Sequence, residues 1–108
     1  MQIPVKGIRT WKRGSDILEI DSEKHILKIN GEETYLTCTE WKILLYLSDY
    51  ENQVISREKI LSECLNYYFE GSERTVDTHI ANLRMKLGES DWINTVRGFG
   101  YRFNGSLE

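Results

Sequence analysis

The sequence predicts an α+β domain in which an antiparallel sheet precedes three helices and a C-terminal β-hairpin. Three observations predict it: alternating apolar residues near the N-terminus, two capped apolar helices, and an amphipathic segment followed by a glycine-containing hairpin. With 108 residues, 40% of them hydrophobic, the chain fits one domain with a single core. We expect this domain over residues 15–104, with 1–14 as a linker remnant or first edge strand and 105–108 as a tail.

The N-terminal sheet is predicted from three short apolar segments. Apolar residues alternate with polar ones in Ile17–Ile20, His25–Ile29 and Thr34–Leu36. The pair Asn30-Gly31 separates the last two segments and is a strong signal for a two-residue hairpin turn. The segments are therefore expected to pair as antiparallel strands.

Two helices follow, and each begins at a hydroxyl side chain. Thr37 with Glu40 three residues later fits a capping box, in which the two side chains satisfy free backbone N–H groups. Apolar residues continue at helical spacing until Asn52 ends the helix. Ser56 is predicted to cap a second, shorter helix that runs from Arg57 to about Leu65.

The third helix has two contrasting sides. At about 100° per residue, one sector collects the apolar side chains Val76, Ile80, Leu83 and Leu87. The opposite side carries Arg74, Thr78, Ala81, Asn82 and Met85. The helix therefore has a core face and a face free to contact a ligand, which is the layout of a recognition helix in a DNA major groove.

A glycine-containing hairpin follows this helix closely. In Thr95–Tyr101, the side chains of Thr95 and Arg97 lie on one face of the first strand and Val96 points the other way. Helix, helix, recognition helix and hairpin together predict a winged helix, a member of the helix-turn-helix group.

Charge is distributed unevenly along the chain. The net charge of −3 argues against a protein that coats nucleic acid through bulk charge. Residues 74–107, however, hold five basic and three acidic residues. The basic surplus thus falls on the helix and hairpin predicted to read DNA.

Enzymatic, metal-dependent and membrane functions find no support. His25 and His79 lie in different elements, and Cys38 and Cys64 lack metal-site spacing, so we expect no enzyme, metal or cofactor. Both cysteines fall in predicted helices, which favours reduced, buried thiols in the cytoplasm over a disulfide. The longest apolar run, 43–47, is far shorter than the roughly 20 residues of a membrane span.

Five linked motifs occur in order along the chain. They are Leu36-Thr37 with Glu40, Ser56–Glu58, Arg74–Ile80, Leu83–Leu87 and Thr95–Tyr101. Together they resemble the effector domain of response regulators of the OmpR/PhoB type. The resemblance covers about residues 16–103 and includes a four-stranded N-terminal sheet that distinguishes this family from other winged helices.

The resemblance implies sequence-specific DNA binding that controls transcription in a two-component system. In such proteins a histidine kinase phosphorylates a receiver domain that precedes the effector, and homodimers bind tandem repeats in promoter DNA. No receiver is present here, so we expect an isolated effector domain, with a natural stand-alone protein as the alternative. A winged helix that binds protein instead of DNA is the alternative function.

Carried over by position, the resemblance puts nine residues near DNA: Arg74, Thr75, Thr78, His79, Asn82, Arg84, Lys86, Thr95 and Arg97. Arg74 and Arg84 are expected to contact phosphates, with nearby acids as alternative partners. Asn82 is the candidate for reading adenine, and the methyl of Thr78 suits thymine, although both fit plain polar surface.

The hairpin arginine is the strongest single candidate. Arg97 is expected to enter a narrow A·T-rich minor groove, as the matching arginine does in the family; the alternative is a hairpin arginine in water. Ala81 and Met85 are unusual for an electrostatic site, and many relatives carry more basic residues there. This departure indicates modest affinity and leaves the operator sequence unpredicted.

Other notable residues have structural interpretations. Asp77 would repel phosphate, so we assign it to a salt bridge or hydrogen bond within the domain. Trp41, Tyr101 and Phe103 are expected in the core. The aromatic run Tyr67–Phe69 (Tyr67, Tyr68 and Phe69) lies in a loop that can touch RNA polymerase in the family, and folding back over the core is the alternative.

Overall fold

The computed structural model describes residues 7–65, 72–88 and 91–107. Elements are numbered in chain order. The strands are β1 (Ile8–Arg13), β2 (Asp16–Asp21), β3 (Ile26–Ile29), β4 (Glu32–Thr34), β5 (Val54–Ile55), β6 (Ile93–Val96), β7 (Gly100–Phe103) and β8 (Ser106–Leu107). The helices are α1 (Cys38–Asp49), α2 (Arg57–Cys64) and α3 (Glu73–Leu87).

The N-terminal sheet is antiparallel, with strand order β4-β3-β2-β1-β8. Asn30 and Gly31 adopt φ angles of 52° and 86°, as a tight primed turn between β3 and β4 requires. The sheet contributes the buried side chains Leu18, Ile20 and Leu27 to the core. The hairpin and the strands predicted from Ile17–Ile20 and His25–Ile29 are confirmed, whereas the third strand lies at Glu32–Thr34 and not at the predicted Thr34–Leu36.

Strands β1 and β8, near the two ends of the described residues, belong to this sheet, which corrects the expected boundaries. Strand β1 lies between β2 and β8, so part of 1–14 is an interior strand instead of a linker or edge strand. Part of 105–108 is strand β8 instead of a tail. Gly105 permits this path because a Cβ there would lie 2.9 Å from Trp11 Cβ and 2.8 Å from Phe103 Cε2.

The predicted helix caps are present. The Thr37 N–H donates to Glu40 Oε1 at 2.9 Å, and the Glu40 N–H donates to Thr37 Oγ1 at 3.2 Å, which completes the capping box. Ser56 Oγ accepts from the Lys59 N–H at 3.0 Å. Helix α1 ends at Asp49, slightly before the predicted end at Asn52.

In the part of the chain that the structure describes, the core lies where helices α1, α2 and α3 meet the two sheets. All four residues of the predicted α3 stripe, Val76, Ile80, Leu83 and Leu87, are buried. Trp41, Tyr101 and Phe103 are buried as predicted, and Trp92 stacks on Phe103 with ring centroids 6.0 Å apart.

The hairpin β6–β7 gains a third strand that the sequence did not reveal. Strand β5 pairs with β7, giving the order β5-β7-β6. At the start of β7, a Cβ on Gly100 would lie 2.0 Å from the carbonyl oxygen of Ile55, and the φ angle is 148°. Glycine is therefore required for this close approach, which holds the hairpin against the α1–α2 connection.

The two cysteines differ in exposure. Both are free thiols, but only Cys64 is buried, and Cys38 is exposed at the first position of α1. The expectation of two buried thiols is therefore wrong for Cys38. Within the described ranges, no helix is long and apolar enough to cross a membrane.

Candidate nucleic-acid interface

The outward face of α3 is built by one cap and one apolar stripe. Ser72 Oγ accepts from the Arg74 N–H at 3.1 Å and begins the helix. Burial of the stripe then fixes the rotation of the helix, so the opposite residues, Arg74, Thr78, Ala81, Asn82 and Met85, are all exposed. The predicted free face is therefore confirmed as an exposed surface.

Arg84 connects α3 to the hairpin. Its Nε donates to the carbonyl of Ile93 at 2.9 Å, and Nη2 donates to Thr95 Oγ1 at 2.6 Å. Its guanidinium carbon lies 5.3 Å from the centroid of the Tyr101 ring, within the range of a cation–π contact. The expected alternative partners were acids, and the structure gives Arg84 a carbonyl and a hydroxyl instead.

Lys86 also has a protein partner. Its Nζ lies 2.6 Å from Oε1 of Glu40, whose side chain is 3% exposed. Burial alone would raise the pKa of Glu40, but the hydrogen bonds from Lys86 and from the Thr37 amide outweigh it and lower that pKa. One lysine thus compensates a buried carboxylate that also caps α1.

Asp77 lies at the centre of a third connection, from α3 to α2 and β7. It accepts from Arg57 Nε at 3.0 Å, from Arg57 Nη2 at 2.6 Å and from the Tyr101 hydroxyl at 2.6 Å. Burial opposes ionisation of Asp77, yet the bonds from Tyr101 and Arg57 lower its pKa. Burial and the bond to Asp77 raise the pKa of Tyr101 to about 12. The structural assignment of Asp77 is confirmed.

Arg97 lies at the end of the hairpin, next to Gly98 with φ 82°. It is exposed, and within the described ranges it makes no hydrogen bond or ion pair. The neighbouring Phe99 is 73% exposed. A cleft of about 470 Å³ runs from these residues to Arg57 and Asp77, near the N-terminal ends of α2 and α3.

The nine residues predicted near DNA therefore fall into three groups. Arg74, Thr78, Asn82 and Arg97 are exposed; Thr75 and His79 are half-buried beside them; and Arg84, Lys86 and Thr95 bond within the protein. The run Tyr67–Phe69 lies outside the described residues. Sequence reasoning missed Arg57, although its place directly after the Ser56 cap was visible in the motif Ser56–Glu58.

A capped helix with an exposed outer face, held beside a β-hairpin and packed on two further helices, defines a winged-helix DNA-binding domain. The family model described as "Transcriptional regulatory protein, C terminal" matches residues 31–103, and the chain belongs to this family. This confirms the predicted resemblance to effector domains of OmpR/PhoB-type response regulators.

Sequence and structure comparisons agree with this assignment. The chain is 42% identical over 91 residues to the transcriptional regulatory protein SrrA of Staphylococcus aureus, covering 80% of this chain and 38% of SrrA. The chain therefore spans about two fifths of the length of that relative.

Two solved relatives contain DNA. The DNA-binding domain of the response regulator AdeR, in complex with an intercistronic region, matches with a TM-score of 0.74 and 37% identity over 81% of this chain and 93% of that one. The DNA-binding domain of Klebsiella pneumoniae RstA, in complex with the RstA box, matches with a TM-score of 0.73 and 31% identity. This match covers 88% of this chain and 96% of the RstA domain.

Proposed function

We propose that this chain binds promoter DNA sequence-specifically and controls transcription as the effector domain of a two-component response regulator. Helix α3 enters the major groove and the hairpin β6–β7 brings Arg97 into the adjacent minor groove. The observation that carries this proposal is the exposed face of α3 next to an exposed hairpin arginine that has no partner among the described residues. The DNA complexes of AdeR and RstA support it.

Each exposed residue has a chemical role in the proposed complex. Arg74 contacts a phosphate and sets the position of the helix on the duplex. Asn82 forms two hydrogen bonds with the major-groove edge of adenine. Arg97 is attracted by the negative potential of a narrow A·T-rich minor groove. Thr75 and His79 flank this surface.

The internal bonds of α3 support this arrangement by fixing the helix relative to the hairpin. Arg84 joins α3 to β6, and Asp77 joins it to Tyr101 on β7. The two reading elements are therefore preorganised, so less conformational freedom is lost when both grooves are occupied. In this proposal Arg84, Lys86 and Thr95 act mainly by positioning.

The remaining partners belong to the same proposal. Two copies bind tandem repeats as a homodimer, and the second binding event gains from the high effective concentration created by the first. A receiver domain and its histidine kinase supply regulation. Contact between RNA polymerase and Tyr67–Phe69 stays a prediction that only a transcription assay with variants of this run can test.

Selection from a random duplex library at near-physiological salt tests the proposal. We expect an enriched sequence that occurs as a tandem repeat, with affinity that falls as salt concentration rises because phosphate contacts release counterions. Absence of enrichment at both physiological and low salt would instead favour a protein-interaction module, which the acidic net charge of −3 permits.

A further inference from the structure

The outer face of α3 carries an exposed methionine. Met85 is 80% exposed, the second most exposed of the large hydrophobic side chains in the described ranges. Ala81, one turn earlier, is exposed as well. Thr78 Oγ1 donates to the Arg74 carbonyl at 3.2 Å, so its hydroxyl proton is used within the helix. Together, the side chains of Thr78, Ala81 and Met85 form what we term the apolar strip.

The charges that flank this strip in the sequence do not belong to it. Arg84 bonds to the hairpin and Lys86 bonds to buried Glu40. In the C-terminal half of α3 the outward surface therefore consists of Ala81, Asn82 and Met85, with no cation that is free of an internal partner. Such a surface has no free cation to attract phosphate, and its apolar side chains are suited to apolar groups in a groove.

We infer that the apolar strip reads the 5-methyl groups of thymines in the major groove. This inference rests on the proposed DNA binding and adds the chemistry by which the bases are distinguished. The thymine methyl is the one apolar group that base edges present in the major groove, and alanine and threonine methyls are among its usual protein contacts. The flexible thioether chain of Met85 fits an apolar contact of this size.

The geometry of α3 suits this role. At about 100° per residue, Met85 lies about 180° from Val76, at the centre of the face opposite the core, and Ala81 and Thr78 lie within about 40° of it. From Thr78 to Met85 the helix rises about 10 Å, the length of about three base pairs. Asn82 beside the strip adds a contact suited to adenine. The strip therefore selects A·T pairs with thymine methyls over about three positions.

The test uses the duplex that the 108-residue chain enriches from a random library. Each thymine of the enriched sequence is replaced singly by deoxyuridine, which removes only the 5-methyl group. We expect about three- to fivefold weaker binding at one to three positions, the size expected for loss of one buried methyl contact. At thymines outside the strip, binding is expected to stay unchanged.

Variants assign the effect to the strip. Met85→Gln keeps side-chain length and helix propensity and should bind thymine and uracil duplexes equally at the position that it faces. Tyr35→Gln is the control, because it removes a large hydrophobic side chain that is similarly exposed (83%) but lies outside the strip, between β4 and α1. This variant should keep the thymine preference. Circular dichroism should find both variants folded.

The outcomes separate this inference from the proposed function. If the chain binds a specific sequence but no deoxyuridine substitution changes its affinity, the proposed contact with thymine methyls is wrong and the proposed DNA binding still stands. A Met85→Gln variant that keeps the thymine preference but loses self-association would show that a second copy covers Met85. If no sequence is enriched at all, the proposed function fails and this inference fails with it.

Discussion

Two arginines of the same helix, ten residues apart, have contrasting environments. Arg74 is exposed in the first turn of α3, whereas Arg84 donates to a carbonyl and a hydroxyl of the hairpin. Lys86 resembles Arg84, because its charge is matched by Glu40. We therefore expect Arg74 to add more to DNA affinity than Arg84 or Lys86, because the protein already bonds the latter two internally.

This difference also explains how a domain with an acidic net charge can present a reading surface. Within α3 and the hairpin, the exposed cations for which the described residues provide no partner lie at two separate points, Arg74 on α3 and Arg97 on the hairpin. The partnered cations hold those two points at a fixed separation. Affinity is therefore expected from a few well-placed contacts instead of from total charge.

The largest expected effect comes from removing the unpartnered hairpin cation. Arg97→Ala should weaken binding to the enriched duplex by about 1 to 3 kcal/mol, because a minor-groove contact is lost. Its free energy of unfolding should change by less than about 0.5 kcal/mol, since the side chain is exposed. Fluorescence anisotropy and urea unfolding measure the two effects, with Lys24→Ala in the β2–β3 turn as the control. Unchanged affinity would refute the minor-groove role.

Removing the partnered lysine, Lys86, should instead lower stability and leave DNA affinity nearly unchanged. Lys86→Gln removes the charge opposite buried Glu40 and should lower the free energy of unfolding by about 1 to 2 kcal/mol. DNA affinity should change little, and so should its dependence on salt. Lys42→Gln on α1, an exposed lysine outside this ion pair, is the matched control. A reduced salt dependence with full stability would instead identify Lys86 as a phosphate contact.

The sequence predicted most of the fold because its signals are local. The capping box of Thr37 and Glu40, the Asn30-Gly31 turn and the apolar stripe of α3 each specify structure within a few residues. Strands β5 and β8 have two residues each, too short for a periodic pattern. Their pairing depends on distant glycines, Gly100 and Gly105, which allow close contact between segments far apart in sequence.

The site was predictable in part for the same reason. Helical periodicity identified the exposed face of α3, including Asn82 and Met85. The partners of Arg84 and Lys86, however, come from β6 and α1, and only tertiary packing brings them within reach. The family resemblance, carried over by position, therefore placed Arg84 and Lys86 near DNA together with Arg74.

The same substitution at the two arginines should affect stability differently. Arg84→Lys keeps the charge but loses the fork that reaches Ile93 and Thr95 together, so we expect about 1 kcal/mol lower stability. Arg74→Lys keeps a point charge at an exposed site and should leave stability unchanged within about 0.5 kcal/mol. Thermal and urea unfolding compare the two variants. Equal stability for both would contradict the positioning role of Arg84.

The smallest expected effect concerns pH. The pKa of Glu40 is lowered in the folded state, so its ionised form contributes stability above the unfolded pKa, and this contribution disappears as pH falls through the folded pKa. The destabilisation caused by Lys86→Gln should therefore be full at pH 7 and should shrink as the pH falls below 4.5, the ordinary pKa of glutamate. The decrease should be smaller than about 1 kcal/mol, because Lys86 is partly exposed. Urea unfolding of both proteins between pH 7 and pH 3 measures the change. A penalty that stays constant over this range would mean that Lys86 stabilises the domain by packing its methylene chain, because only the charge interaction depends on the ionisation of Glu40.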